Sequence, residues 1–384
     1  MAGNANLSAA KAAKNDEFYT QWNDIENEMQ AYLEYDPDVF RGKVVLLPCD
    51  DPEVSNFTKY FALNFNKLGL KKLISTSYAP CRKGRICVME QSANLNGGAS
   101  LNEGCLKWDY LEGDGDFRSG EVTKLRDEAD IVVTNPPFSL FREFFAWLVD
   151  GDVQFSIIGN KNAIIHKGIF SLIKENLLWM GKAPMSQDML FEVPEATKVE
   201  LVKKREGSAW RRVDGEVYAR AAACWFTNIE HGHCNEPLSL MTMEQNLLYG
   251  SKRVREVAYP KYDNYDAIEV PETKGIPSDY PDVMGVPISF LDKYNPEQFE
   301  IVGMAERGAV DRALKTRVYT AEDYPNYSGL NSGPVIIENG TPRNTYARIF
   351  IRHRHLTIRP LSQSRGGQSS LRCKRGFSHV EVRR

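Results

Sequence analysis

The apolar run Ile131-Val-Val-Thr134 ends abruptly at Asn135-Pro136-Pro137-Phe138, and this junction restricts the fold more than any other stretch of the chain. Four β-branched residues in succession suit a strand covered on both faces. Neither proline can donate to a sheet ladder, so the strand must stop there and the loop must leave its carboxyl end. In open α/β sheets that end is where ligands bind. With average residue frequencies, chance produces this tetrapeptide on the order of once in several hundred chains of this length. Its plainest reading is a Pro-Pro turn in which Asn135 caps the next helix.

Further elements agree with such a sheet. Asp24 to Tyr35 has apolar residues at Ile25, Met29, Tyr32 and Leu33, which predicts an amphipathic helix ended by Asp36-Pro37. Lys43-Val-Val-Leu-Leu47 and Lys72-Leu-Ile-Ser75 read as buried strands, with a helix face at Phe57, Phe61, Phe65 and Leu68 between them. Residues 91–120 read as more loop than regular structure. After the Asn-Pro-Pro-Phe junction come a helix over 139–149, a strand at Phe155-Ser-Ile-Ile158, a helix across 164–180 and a strand at Ala222-Ala-Cys-Trp-Phe226. Strands alternating with helices predict an α/β fold with a mainly parallel sheet covered on both faces. Tyr259 to Pro287, with five prolines and four tyrosines, reads as ordered loop or linker. A smaller segment follows, with strands at Glu300-Ile-Val-Gly303 and Tyr346 to Ile351.

Composition removes several function classes. No apolar run approaches twenty residues, and Met1 to Lys14 lacks the apolar core of a signal peptide, so no membrane partner is expected and the cytoplasm is the default. Seven cysteines (49, 81, 87, 105, 224, 234, 373) without a C-x-x-C pair read as thiols rather than a disulfide framework. Cys224, His231, His233 and Cys234 match no common zinc spacing, and no metal is assigned. The formal charge of −3 hides a basic tail: residues 352–384 hold nine Lys/Arg and one acid, which leaves residues 1–351 at −11. An acidic body does not suit a nonspecific polyphosphate binder, so any nucleic acid must be held by a local basic groove.

The Asn135-Pro136-Pro137-Phe138 group suits chemistry on a planar amine. The lone pair of adenine N6 is delocalised into the ring, which makes it a poor nucleophile. The Asn135 side-chain oxygen can accept one N6–H and the Pro136 carbonyl the other. Two fixed acceptors draw the nitrogen towards tetrahedral geometry and stabilise the positive charge that develops on it. Pro137 removes a competing donor, and Phe138 offers a stacking face worth roughly 1–3 kcal/mol to an extruded base. No covalent nucleophile is required.

These residues resemble the adenine-specific methyltransferase family named after the EcoRI modification methylase. The resemblance is carried by Val132-Val-Thr-Asn-Pro-Pro-Phe138, Lys14-Asn-Asp-Glu-Phe-Tyr-Thr20, Pro48-Cys-Asp-Asp-Pro52, Gly113-Asp-Gly-Asp-Phe-Arg118, Trp225-Phe-Thr-Asn228 and Gly285-Val-Pro-Ile-Ser-Phe290, and runs from about residue 14 to 351. It implies a Rossmann-like catalytic domain that uses S-adenosylmethionine, with Phe18, Tyr19 and Thr20 on the methionine side of the cofactor. Pro48, Asp50 and Asp51 take the place of the usual first-strand loop, where this chain has no Gly-x-Gly. Asp116, beside Phe117, is the implied acceptor for the cofactor's adenine amine, with Asp114 as runner-up. Each has a structural alternative: a helix staple for Phe18 and Tyr19, helix capping for Asp50 and Asp51 near Ser55, ordinary turns for Asp114 and Asp116, and core packing for Trp225 and Phe226.

The resulting expectation is a flexible leader (1–14), a catalytic domain (15–245), a target-recognition or accessory region (246–351) and a basic disordered tail (352–384). The substrate is double-stranded DNA with base flipping, and a restriction endonuclease acting on the same site is the implied companion. Lys203-Lys-Arg205, Arg211-Arg212 and Lys252-Arg-Val-Arg255 are candidate phosphate contacts. The alternatives are a methyltransferase acting on RNA adenine or protein glutamine, or a catalytically impaired DNA-binding relative.

Overall fold

The computed structural model describes residues 19–49, 51–91, 106–232, 235–305, 314–320, 322–345 and 347–356. The 1–14 leader, Phe18, Asp50, His233, Cys234 and the tail beyond residue 356 lie outside the described residues. Among the described residues, twelve strands occupy the first two thirds of the chain: β1 (Tyr19–Thr20), β2 (Val44–Leu47), β3 (Lys72–Thr76), β4 (Arg85–Glu90), β5 (Lys107–Tyr110), β6 (Ile131–Thr134), β7 (Gln154–Asn160), β8 (Trp179–Met180), β9 (Met189–Glu192), β10 (Trp210–Val213), β11 (Glu216–Ala221) and β12 (Ala223–Thr227).

Eight of these form one sheet in the order β5-β4-β3-β2-β6-β7-β12-β8. The central strands β3, β2, β6 and β7 are parallel, and only β4 and β12 run against the common direction. Alternation along each strand divides the core into two layers. Leu46, Ile74 and Val132 enter one apolar cluster, with Phe144 and Phe145 of the helix Phe141–Asp150. Val45, Leu47, Leu73, Ile131 and Val133 enter the other, with Ile25, Met29 and Tyr32 of the helix Trp22–Tyr35. Side chains in a strand point alternately to opposite faces, so the β-branched runs seen in the sequence feed both layers.

The other four strands make a second sheet, β1-β9-β11-β10, antiparallel throughout. It was not legible in the sequence because its first pairing joins Thr20 to Phe191. The carboxy-terminal segment adds β13 (Ile268–Glu269), β14 (Met284–Pro287), β15 (Phe299–Ala305), β16 (Val335–Glu338), β17 (Thr341–Asn344) and β18 (Arg348–His353). Of these, β13-β14-β18-β15 form a four-stranded sheet. Ile268, Met284, Phe299 and Ile351 belong to the same apolar cluster as Leu46 and Val132, so the two sheets share a core.

One expectation needs correction, and two are made more definite. The helix placed across 164–180 spans only Lys167–Lys174; Asn176 adopts φ 59°, which turns the chain, and Trp179–Met180 is an edge strand. Among the described residues, 91–120 is more loop than regular structure, as expected: β5 is its one strand, and the helix Gly120–Glu128, started by Ser119, begins only at its last residue. Of the two readings of 259–287, ordered loop fits and linker does not: Tyr262, Tyr265, Ile268, Val270 and Ile276 are buried, and its strands are too short to show a period.

One buried acid stands out in the second layer. Glu28 is 1% exposed, accepting from the Tyr32 hydroxyl at 2.6 Å and the Lys182 amide at 2.8 Å, while Tyr32 also meets Ser156 Oγ at 2.9 Å. Burial pushes its pKa up to about 7, against the opposing pull of these donors. A carboxyl raised in the folded state binds its proton more tightly there than in the unfolded chain. Its stabilisation is therefore present at low pH and lost as pH rises from the ordinary carboxylate range towards 7. Replacing Glu28→Gln removes the titration, so the variant should gain stability relative to the wild type between pH 5 and pH 8. Urea midpoints at the two pH values measure this; a constant difference would contradict it.

Candidate active site

The junction chosen from the sequence lies at the carboxyl end of β6, as the parallel sheet requires. Pro136 is buried, and Asn135, Pro137 and Phe138 are half-buried. Residues Phe138–Leu140 form a 3-10 turn before the helix Phe141–Asp150, whose N-cap is Leu140 without a side-chain cap. Asn135 thus does not start the helix, and the plain capping interpretation does not hold.

Three separated stretches converge on this end of the sheet. Thr134 Oγ1 donates to the Pro48 carbonyl, tying the loop after β2 to the end of β6. Asn56 Nδ2 donates to the Thr20 carbonyl at 2.9 Å, tying β1 to the helix that follows the same loop. Thr20 pairs in register with Phe191 of β9, and the Phe191 ring stands edge-on to Phe138 with centroids 6.2 Å apart. Phe191, fully buried, was missed in the sequence; only the non-local second sheet brings it here.

The loop after β2 solves the problem of the missing glycines in its own way. Cys49 adopts φ 69°, the left-handed region in which glycine is usual. Asp51 then organises the turn: its carboxylate accepts from the Glu53 amide at 3.0 Å and its carbonyl from Ser55 at 2.9 Å. The cap of the helix Asn56–Leu63 is Ser55, which accepts from Phe57 and Thr58, so Asp51 is not that cap.

Beside this loop is a cleft of about 480 Å³, lined by Asp51, Ser77, Tyr78, Ala79, Arg82, Lys83, Arg85 and Tyr110. Ser77 and Tyr78 follow the carboxyl end of β3, a position that the sheet rule would have singled out had that strand's end been followed. The Gly-Asp-Gly-Asp stretch closes against it. Ala79 donates to the Asp114 carbonyl at 2.8 Å, and a Cβ on Gly115 (φ 82°) would come within 2.1 Å of the Ser77 carbonyl, so only glycine fits there.

The remaining expected residues have other engagements. Asp114 Oδ1 accepts from the Asp116 amide at 3.1 Å. Asp116 is bound by Arg118 through Nε at 2.9 Å and Nη2 at 2.6 Å, and this guanidinium holds its carboxyl below the usual range. Arg118 also reaches Glu143 at 3.1 Å. Phe117 is turned into the core against Phe144 and Trp147. Trp225 and Phe226 are fully buried. Of the basic groups, Lys203 pairs with Glu200 and Arg212 lies over Trp210 on the β10-β11 hairpin. Among the described residues no group of three or more His, Cys, Asp or Glu is placed to hold a metal, and no helix is long and apolar enough to cross a membrane.

Does the cofactor implied by the resemblance fit here? The Thr20 hydroxyl is buried without a hydrogen-bond partner among the described residues, and the Thr76 hydroxyl at the end of β3 is in the same state. Buried polar groups are nearly always satisfied, so such atoms at a ligand-binding edge are consistent with a polar ligand. The cleft volume lies in the range of small-molecule sites.

Comparison with known proteins bears on the same residues. The family described as "Adenine-specific methyltransferase EcoRI" matches residues 6–354. The Type II methyltransferase M.EcoRI of Escherichia coli is 45% identical over 314 residues, covering 79% of this chain and 90% of that protein. The Type II methyltransferase M.MpnI of Mycoplasma pneumoniae is 36% identical over 359 residues, covering 92% of this chain and 99% of that protein.

Proposed function

The chain belongs to the EcoRI family of adenine-specific methyltransferases, and from that premise we propose that it transfers a methyl group from S-adenosylmethionine to the N6 amine of adenine in duplex DNA, with the base flipped out of the helix. The observation that carries this reading is the convergence of β1, the loop after β2 and the Asn135-Pro136-Pro137-Phe138 turn at one end of the sheet.

In this reading Asn135 Oδ1 and the Pro136 carbonyl each accept one N6–H bond, fixing the amine and stabilising its developing charge. Phe138 stacks on the extruded base and is braced from behind by Phe191. S-adenosylmethionine, when bound, supplies the activated methyl group. Thr20, Pro48 and Asp51 would hold it, with Asp114 and the Ser77–Tyr78 loop at the adenosine side. Asp116 contributes through its pair with Arg118, and Phe117 by supporting that loop from the core. Residues 246–351 serve target recognition, and a restriction endonuclease acting on the same site is the companion that such a modification protects against.

Thr20 gives a separate check on the cofactor. Replacing Thr20→Val removes a hydroxyl that has no partner among the described residues, so the ligand-free protein should be as stable as before or more so. A lost hydrogen bond to the ligand should weaken S-adenosylmethionine binding about three- to tenfold. Calorimetric titration beside a thermal melt measures both, and unchanged affinity would contradict the assignment. The function itself is tested by incubating the protein with radiolabelled S-adenosylmethionine and duplex DNA, RNA or protein. Label in DNA recovered as N6-methyladenine is expected; label only in RNA or protein, or none, would overturn the proposal.

A further inference from the structure

Three consecutive large apolar side chains stand in solvent at the end of the helix Met243–Tyr249: Leu247, Leu248 and Tyr249 are 41%, 58% and 76% exposed. Single exposed apolar residues are ordinary, but a run of three bordered by charge marks a contact surface. Two residues later begins the helix Lys252–Val257, capped by Ser251 on the Val254 amide, with Lys252, Arg253 and Arg255 exposed. Lys252 lies 3.6 Å from Glu256, whereas Arg253 and Arg255 form no ion pair among the described residues.

The two helices are firmly mounted. Asn246 and Val254 are 0% and 1% exposed; Asn246 Nδ2 lies 3.4 Å from the carbonyls of Met241 and Gly275, and the Asp279 carboxylate accepts from the Met243 amide at 2.8 Å. Besides Glu256, the acid on these helices is Glu244, in the first turn of the first one. The outward surface is thus an apolar tip followed by three cations.

We infer that this two-helix tip is a duplex-DNA contact: Leu248 and Tyr249 press as an apolar wedge against base steps, and Arg253 and Arg255 hold the adjacent phosphates. The inference rests on duplex DNA being the substrate. Residues 1–351 carry a net −11, so a polyanion must be met by local cations, and this patch joins such cations to exposed apolar groups. Apolar side chains inserted at base steps unstack them, and extruding a base has an unstacking cost of its own. A wedge contact offsets part of that cost only in a duplex.

The test compares the wild type with Leu248→Ala/Tyr249→Ala and with Arg253→Gln/Arg255→Gln, using sheared genomic DNA free of adenine methylation, intact or heat-denatured. The apolar double variant is expected to bind duplex at least tenfold more weakly and denatured strands within twofold of the wild type, with unchanged melting temperature and cofactor affinity. The arginine double variant should flatten the dependence of log affinity on log salt by about two units. Unchanged duplex affinity, or equal losses on duplex and single strands, would overturn the wedge. If the wild type transfers no label to DNA, the substrate reading itself has failed; if it does and the variants match it, only the wedge has failed.

Discussion

Replacing Asn135→Ala should lower methyl-transfer turnover by at least about a hundredfold while S-adenosylmethionine binding stays within a few fold. The magnitude follows from losing one preorganised polar group aimed at developing charge, for which factors of about 10² to 10³ are usual. The selectivity follows from the site's layout. Asn135 leaves β6, whereas the cofactor-side groups Thr20, Pro48 and Asp51 belong to other segments, and the helix after the turn starts at Phe141, with Leu140 as an N-cap that makes no side-chain bond. Fold and cofactor site should both survive the change. Turnover from rapid-quench assays and affinity from titration separate the two effects; a parallel loss in both would mean that Asn135 organises the cofactor loop instead.

The second large effect is on stability. Arg348 and Glu269 are 6% and 3% exposed and form a two-pronged pair, Nε to Oε2 at 2.9 Å and Nη2 to Oε1 at 2.7 Å, with the Tyr262 hydroxyl also donating to Oε2. The pair spans β13 and β18 across β14, where a Cβ on Gly285 would meet the Tyr262 hydroxyl at 2.4 Å. Removing one charge leaves the other buried and uncompensated, which costs about 3–5 kcal/mol. Arg348→Met should therefore lower unfolding stability by that amount in urea titrations. Adding Glu269→Gln should recover much of the loss, since burying two neutral groups is far cheaper than burying one charge. If the single variant loses less than about 1 kcal/mol, the pair is not the lock of this sheet.

The sequence revealed those parts of the molecule whose signals are local. The runs Val44–Leu47 and Ile131–Thr134 are apolar throughout because both faces of the sheet are covered, and such runs are recognisable without a partner. Asn135 to Phe138 was recognisable for the same reason, as was the family resemblance, which the match over residues 6–354 bears out. What the sequence hid is long-range. Phe191 reaches Phe138 only because β9 pairs with β1, some 170 residues earlier in the chain. The loop after β2 lacks the expected glycines, yet Cys49 takes up the left-handed backbone that a glycine would have announced. Residues 259–287 show no period because their strands are two to four residues long and Tyr262 and Tyr265 are buried against Phe350 of β18, in the sheet those strands join.

The central claim is that two oxygens, one from a side chain and one from the main chain, grip a single amine. The structure of the protein with duplex DNA and the spent cofactor tests it most directly. The account predicts an extruded adenine whose N6 lies about 2.7–3.2 Å from both Asn135 Oδ1 and the Pro136 carbonyl, with its ring on Phe138. An Asn135 amide turned into the protein interior, with no purine within reach of either oxygen, would contradict it.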